Sequence, residues 1–233
     1  MTTNIKAKQL EILLNDFELL SKTAMIQMQI TMKLLQDNTI ESLYDEAESN
    51  EIIMDRLEIK IREEVVFTIF QFNPIAADLR KIITYQDITT NLERIGDMLL
   101  NIIHFLKVSN LSTGSIAPIK KMIDKMVKYT SEMLRNTIFS FSNEDSRLAY
   151  EVIEEDDKVD ELFHQINLSL QEAFVDKKLD KKEIQSMLNT NAISHNLERI
   201  GASCTTIAEP AIYLTEGNAI RPGNKPQGSY HTR

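Results

Sequence analysis

Asn91-Leu92-Glu93-Arg94-Ile95-Gly96 returns unchanged as Asn196-Leu197-Glu198-Arg199-Ile200-Gly201, an offset of 105 residues in a chain of 233. The same offset carries Glu51 onto Asp156, Asp55 onto Asp160 and Asn38 onto Asn143. A lone hexapeptide can recur by chance, but acids and helix starts recurring in one register point to an internal duplication. Around these motifs the apolar residues fall at helical spacing. Leu10, Leu13, Phe17, Leu20, Ala24, Met28 and Met32 mark a first helix from about 4 to 36, and Leu43, Ala47, Ile53, Leu57, Ile61, Val65 and Ile69 a second to about 72. Asn73-Pro74 punctuates the chain, with Pro expected at the first position of a third helix, where its missing N–H costs nothing. Three more helices are expected at about 115–141, 143–176 and 180–215. Asn38 with Glu41, Ser142 with Asp145 and Asp180 with Glu183 read as their start signals.

Three long amphipathic helices can close a core, whereas a pair leaves an apolar stripe exposed. The sequence therefore predicts an all-α fold, a tandem repeat of two three-helix bundles. The expected boundaries are 1–110 and 111–217, followed by a flexible tail at 218–233; the Ser-, Asn-, Thr- and Gly-containing stretch at 109–115 divides the halves.

Composition narrows the function. The 26 Lys and Arg against 35 Asp and Glu leave a net charge of −9, which lacks the electrostatic footprint of a non-specific nucleic-acid binder. The single cysteine, Cys204, excludes a disulfide framework and a thiolate metal site, and reads as a small buried apolar residue. No uninterrupted apolar run is long enough for a membrane span, and the opening residues show no signal-peptide pattern, so the expected location is the cytoplasm. Walker-type loops, HExxH and GxSxG are absent.

The acids carry the chemistry. Glu51 and Asp55 leave one face of the second helix, and Glu93 and Asp97 repeat the spacing on the third. If these helices form a hairpin at Asn73-Pro74, both pairs lie about 27–30 Å from the turn and meet at one level. Solvated-face charge is the bland reading of any such acid, but it gives no reason for matched depth and recurrence. Clustered carboxylates need a cation or raised pKa values to be tolerated. An all-oxygen set, with Asn101 a further candidate, suits Mg²⁺, Mn²⁺, Ca²⁺ or carboxylate-bridged iron. His104, on the same helix, reads first as a packing residue. In the second half Asp156, Asp160 and Glu198 remain, with Glu155 alongside, but Ala202 stands where Asp97 stood; Glu151, Asp157 or a partner chain could complete the set. Gly96 and Gly201 serve either close helix approach or space beside a metal. Arg94 and Arg199 either pair with nearby acids or orient carboxylate ligands.

Asn73 to Arg80 (NPIAADLR), the NLERIGD segment at 91–97, EEDDKVDELF at 154–163 and NLERIG followed by TIAEPAIYLTEG to 217 together resemble the PhoU family of phosphate transport system regulatory proteins. The resemblance implies two homologous three-helix bundles whose E(D)xxxD motifs hold metal: Glu51, Asp55, Glu93 and Asp97 in the first bundle, Asp156, Asp160 and Glu198 in the second. It implies multinuclear iron or another divalent cation, with Mn, Mg or Zn as choices. The implied function is negative regulation of phosphate uptake and starvation signalling when phosphate is plentiful. The implied partners are the ATP-binding subunit of a phosphate ABC transporter and a phosphate-sensing histidine kinase; the protein is expected as a homodimer that reaches the membrane only through them. The family commonly follows the second LERIG with Asp-His, where this chain has Ala202-Ser203. A metal-dependent enzyme built on the same carboxylates is the alternative, though the sequence offers no second constellation to grip a substrate.

Overall fold

A computed structural model describes residues 2–109, 111, 116–175 and 179–216. These form six helices and no strand: α1 (Thr2–Gln36), α2 (Glu41–Phe72), α3 (Ala76–Lys107), α4 (Ala117–Ser142), α5 (Ser146–Val175) and α6 (Lys181–Glu216). The expected tail, and residues 110 and 112–115 of the expected divider, lie outside the described residues.

Each helix buries most of the stripe its sequence marks; on α2, Ile53 is exposed and its neighbour Met54 takes the inward position. On α1, Leu13, Phe17, Leu20, Ala24 and Met28 recur every three or four residues and all enter the core. The first three helices pack on one another, as do the last three. The two bundles then meet through equivalent helices, α3 on α6 and α1 on α4, and one continuous apolar core runs through both. Phe17 of α1, Tyr85 of α3 and Phe141 of α4 join the halves edge to face, with ring centroids 4.9–5.3 Å apart. This geometry matches the positive ring edge of one aromatic to the negative face of the next.

The turns depart from the expected caps in three places. Asn38 does not start α2, which follows Ile40 without a side-chain cap. Its amide instead donates to the carbonyls of Leu106 and Ser109, at 3.0 and 2.9 Å, tying the α1–α2 turn to the end of α3. Pro74 is not the first helical residue, since α3 opens at Ala76 after extended Ile75. Asn73 ends α2 in the left-handed region (φ 43°), with its N–H on the Ile69 carbonyl. Asp145 is itself the cap of α5, accepting from the Arg147 and Leu148 N–H groups at 3.0 and 3.2 Å, while Ser142 closes α4. The Asp180 and Glu183 pair forms as expected: Asp180 accepts from the Lys182 and Glu183 N–H groups, and Glu183 accepts from the Asp180 N–H at 3.2 Å.

Because Phe17 sits where three helices of both bundles converge, Phe17→Ala should cost about 3–5 kcal/mol. Urea unfolding followed by circular dichroism should show one transition at lower denaturant with an unchanged slope.

Candidate metal centre

The hairpin of α2 and α3 sets up a ladder of facing residues. His104 Nε2 lies 2.6 Å from Glu48 Oε1, Glu51 faces Asp97, and the Thr90 hydroxyl donates to Glu58 at 3.3 Å. Glu51 is buried in this ladder, 8% exposed, and neither of its carboxylate oxygens receives a hydrogen bond from a donor. As an ionised group it finds only acceptors around it. Burial first, then the Asp97 carboxylate as an acceptor for its proton, and then the charges of Asp97, Asp55 and Glu93 push its pKa up to about 9. Glu93 is raised in the same direction by burial and by Asp97, Glu58 and Asp55, with Arg94 opposing. Asp55, Glu93 and Asp97 thus lie within electrostatic reach of Glu51, with Asp55 and Asp97 exposed and Glu51 buried.

Gly96 makes this floor possible. A methyl group on Gly96 would stand 2.6 Å from Met54 Cε and 3.3 Å from Glu51 Oε2, so glycine lets α3 lie this close to the acid without displacing the end of the Met54 side chain. The second bundle repeats the contact in register. A methyl on Gly201 would stand 3.0 Å from Asp156 Oδ1 and 3.4 Å from Val159 Cγ1, the positions equivalent to Glu51 and Met54. The close-approach reading of both glycines is thus met.

The second copy has diverged. Ala202 removes one carboxylate, and Glu151 and Glu155 are held by Arg147 and Lys158, at 2.8 and 2.9 Å. Glu198 is raised by burial and by Asp160, against the opposing charges of His195 and Arg199. His195 Nδ1 lies 3.6 Å from Glu198 Oε2, and its ring stacks obliquely on Phe163.

Sequence reasoning missed two residues. Glu58 is buried, bonded to Arg62 and Thr90, and raises Glu93; its signal was the i+7 spacing from Glu51. His195 was passed over although it precedes the second motif by one residue. His104, expected to pack inside, is exposed and paired with Glu48. Asn101 is exposed, and Arg94 lines a groove of about 410 Å³ between α3 and α6 with Asp87, Asn91, Thr206 and Glu209. Cys204 is fully buried as expected, and burial pushes its thiol up to about 12.

Among the described residues, no group of three or more His, Cys, Asp or Glu side chains stands in a ready coordinating arrangement. The donor chemistry nonetheless fits a hard cation, since the first cluster is all oxygen and its buried carboxylate has two unused oxygens. Also among the described residues, no helix is long and apolar enough to cross a membrane.

Fold and site together define a class: an all-helical protein made by duplication, each half holding acids against a helix glycine. The chain belongs to the PhoU family, whose PhoU domain model matches residues 17–106 and 123–211. It is 30% identical over 181 residues to a phosphate-specific transport system accessory protein PhoU homolog of Aquifex aeolicus, covering 77% of this chain and 79% of that one. A Clostridium acetobutylicum homolog of the same description is 28% identical over 221 residues, 94% of this chain and 98% of its own. The crystal structure of PhoU from Pseudomonas aeruginosa superposes with a TM-score of 0.80 at 24% identity, covering 91% of this chain and 99% of that one. The phosphate transport system regulatory protein PhoU from Streptococcus pneumoniae gives 0.70 at 16% identity, over 95% and 100%.

The raised Glu51 pKa fixes the sign of a pH effect. The folded metal-free protein holds a proton that the unfolded chain releases near 4.5, so the contribution of Glu51 to stability is greatest below that pH, falls as pH rises to about 9, and then levels. Glu51→Gln should flatten this decline and leave the metal-free protein more stable than wild type at pH 8. Thermal melting with a chelator from pH 5 to 9 checks both.

Proposed function

We propose that this chain is a metal-holding regulator of phosphate transport and phosphate-starvation signalling, restraining a high-affinity phosphate transporter and a sensor kinase when phosphate is plentiful. The unpartnered, buried Glu51 among three further acids carries the metal part of this reading. Its relatives' description as phosphate-specific transport system accessory proteins supports the regulatory part. Glu51, Asp55, Glu93 and Asp97 hold the cation in the first bundle; Asp156, Asp160 and Glu198 hold a weaker one in the second, where Ala202 has removed a ligand. Iron or another divalent cation suits the oxygen donors, Mn²⁺ and Mg²⁺ among them.

The protein acts in the cytoplasm as an adaptor rather than an enzyme, and as a homodimer. Its partners are the transporter's ATP-binding subunit and a phosphate-sensing histidine kinase. The cation neutralises the acids at the α2–α3 groove and fixes the surface that these partners read.

In calorimetric titration with Mn²⁺, Asp97→Asn should weaken binding at the first site by about tenfold or more, while Glu172→Gln on exposed α5 leaves it unchanged. Equal affinity and stoichiometry in all three proteins would remove Asp97 from the ligand set.

A second outcome concerns the adaptor. Glu93→Gln with Asp97→Asn, shown to be folded by circular dichroism, should lose metal-dependent binding to the purified ATP-binding subunit, and Glu198→Gln should lose less. A folded double variant that binds like wild type would place the partner surface elsewhere.

A further inference from the structure

The outward face of α2 is not the solvated surface that its position on the bundle calls for. Ile52, Ile59, Val66 and Phe70 form an exposed stripe along it at spacings of seven, seven and four, with Ile59 55% and Phe70 84% exposed. An exposed face normally carries charge on a bundle helix. The duplication supplies an internal control, because the equivalent residues of α5 are Asp157, His164, Gln171 and Val175, all exposed and three of them polar. The fold therefore does not require apolar residues here; this face departs from its own twin.

Two charges interrupt the stripe, Arg56 and Glu63, both exposed. They lie three residues before and four after Ile59. From Ile52 to Val66 the face reads apolar, Arg, apolar, Glu, apolar around one central residue and matches itself when turned end for end, with Phe70 beyond the matched segment and opposite Glu48. This is what a two-fold interface demands, since each patch must complement its own copy.

We propose that the outer face of α2 is the surface on which two copies of this chain associate, helix against antiparallel helix about an axis near Ile59. In that arrangement Arg56 of each copy meets Glu63 of the other, Ile52 meets Val66, and Ile59 meets itself. The proposal rests on the self-association included in the reading above and adds its place, and the two can fail separately. An unrelated protein partner would have no reason to impose this internal symmetry. The face adjoins the acidic groove on the same helix, so pairing places the two first-bundle clusters of a dimer on a shared side of the assembly.

Sedimentation of the full chain tests this through charge reversal. Arg56→Glu alone and Glu63→Arg alone should each raise the dimer dissociation constant by about tenfold or more, and the two together should return it to within about threefold of wild type. A structural role for either charge within its own chain gives no such rescue. Disulfide trapping reads the axis directly, since Cys204 is fully buried and does not compete. Ile59→Cys should cross-link to itself. Ile52→Cys alone should not, because its copies would lie about 21 Å apart along the helices, far beyond disulfide reach; mixed with Val66→Cys it should. A dimer insensitive to the reversals and untrapped by Ile59→Cys would keep self-association and overturn this face. A monomer at all concentrations would overturn both, and would give the α2 stripe to a different partner.

Discussion

A carboxylate placed against apolar side chains, with no donor on either oxygen, costs about several kcal/mol to ionise unless a proton or a cation answers it. Glu51 is in that position, and much of the first bundle is arranged around it. Gly96 gives up a side chain so that α3 can lie against it, Met54 closes its flank, and Asp55, Glu93 and Asp97 surround it with more negative charge. Packing alone explains none of this, because a hydrophobic residue at 51 would bury more comfortably. The arrangement makes sense as a site whose stability depends on what neutralises it.

Duplication lets each feature be weighed against its twin. The glycine-to-acid contact is kept in both halves, at Gly96 with Glu51 and at Gly201 with Asp156. Around it the second half has relaxed: Asp97 becomes Ala202, Glu58 becomes Phe163, and Thr90 becomes His195, which stacks on that Phe. The negative charge is thus thinned, and an imidazole lies 3.6 Å from Glu198. The outer faces differ the other way, with apolar residues on α2 where α5 has polar ones at three of the four equivalent positions. One half concentrates charge and contact surface, and the other supplies packing partners through α6 and α4.

The sequence was legible where its signals are periodic or repeated. Helical spacing located all six helices within a few residues, and the offset of 105 aligned the acids before any packing was known. What escaped was set by tertiary geometry. Asn38 has the composition of a cap, but its amide is drawn to the free carbonyls at the end of α3, which are remote in sequence. Glu58 looked like an ordinary charge because its i+7 spacing from Glu51 shows that the two share a face but not that this face is buried. His104 was expected to pack among Leu and Ile, yet falls on the solvent edge of α3 and meets Glu48 instead. The joining of the bundles through twin helices left no mark in the pattern, since a face buried between bundles and one buried within a bundle read alike.

The most direct test of the account is the proton balance of cation binding by the wild-type protein near pH 7, measured by titration calorimetry in buffers of different ionisation enthalpy. If the cation takes the place of a proton held on the Glu51 cluster, Mn²⁺ binding at the first site should release about one proton. Binding with no proton release, or no binding at all, would contradict the claim that this buried carboxylate is poised for a metal ion.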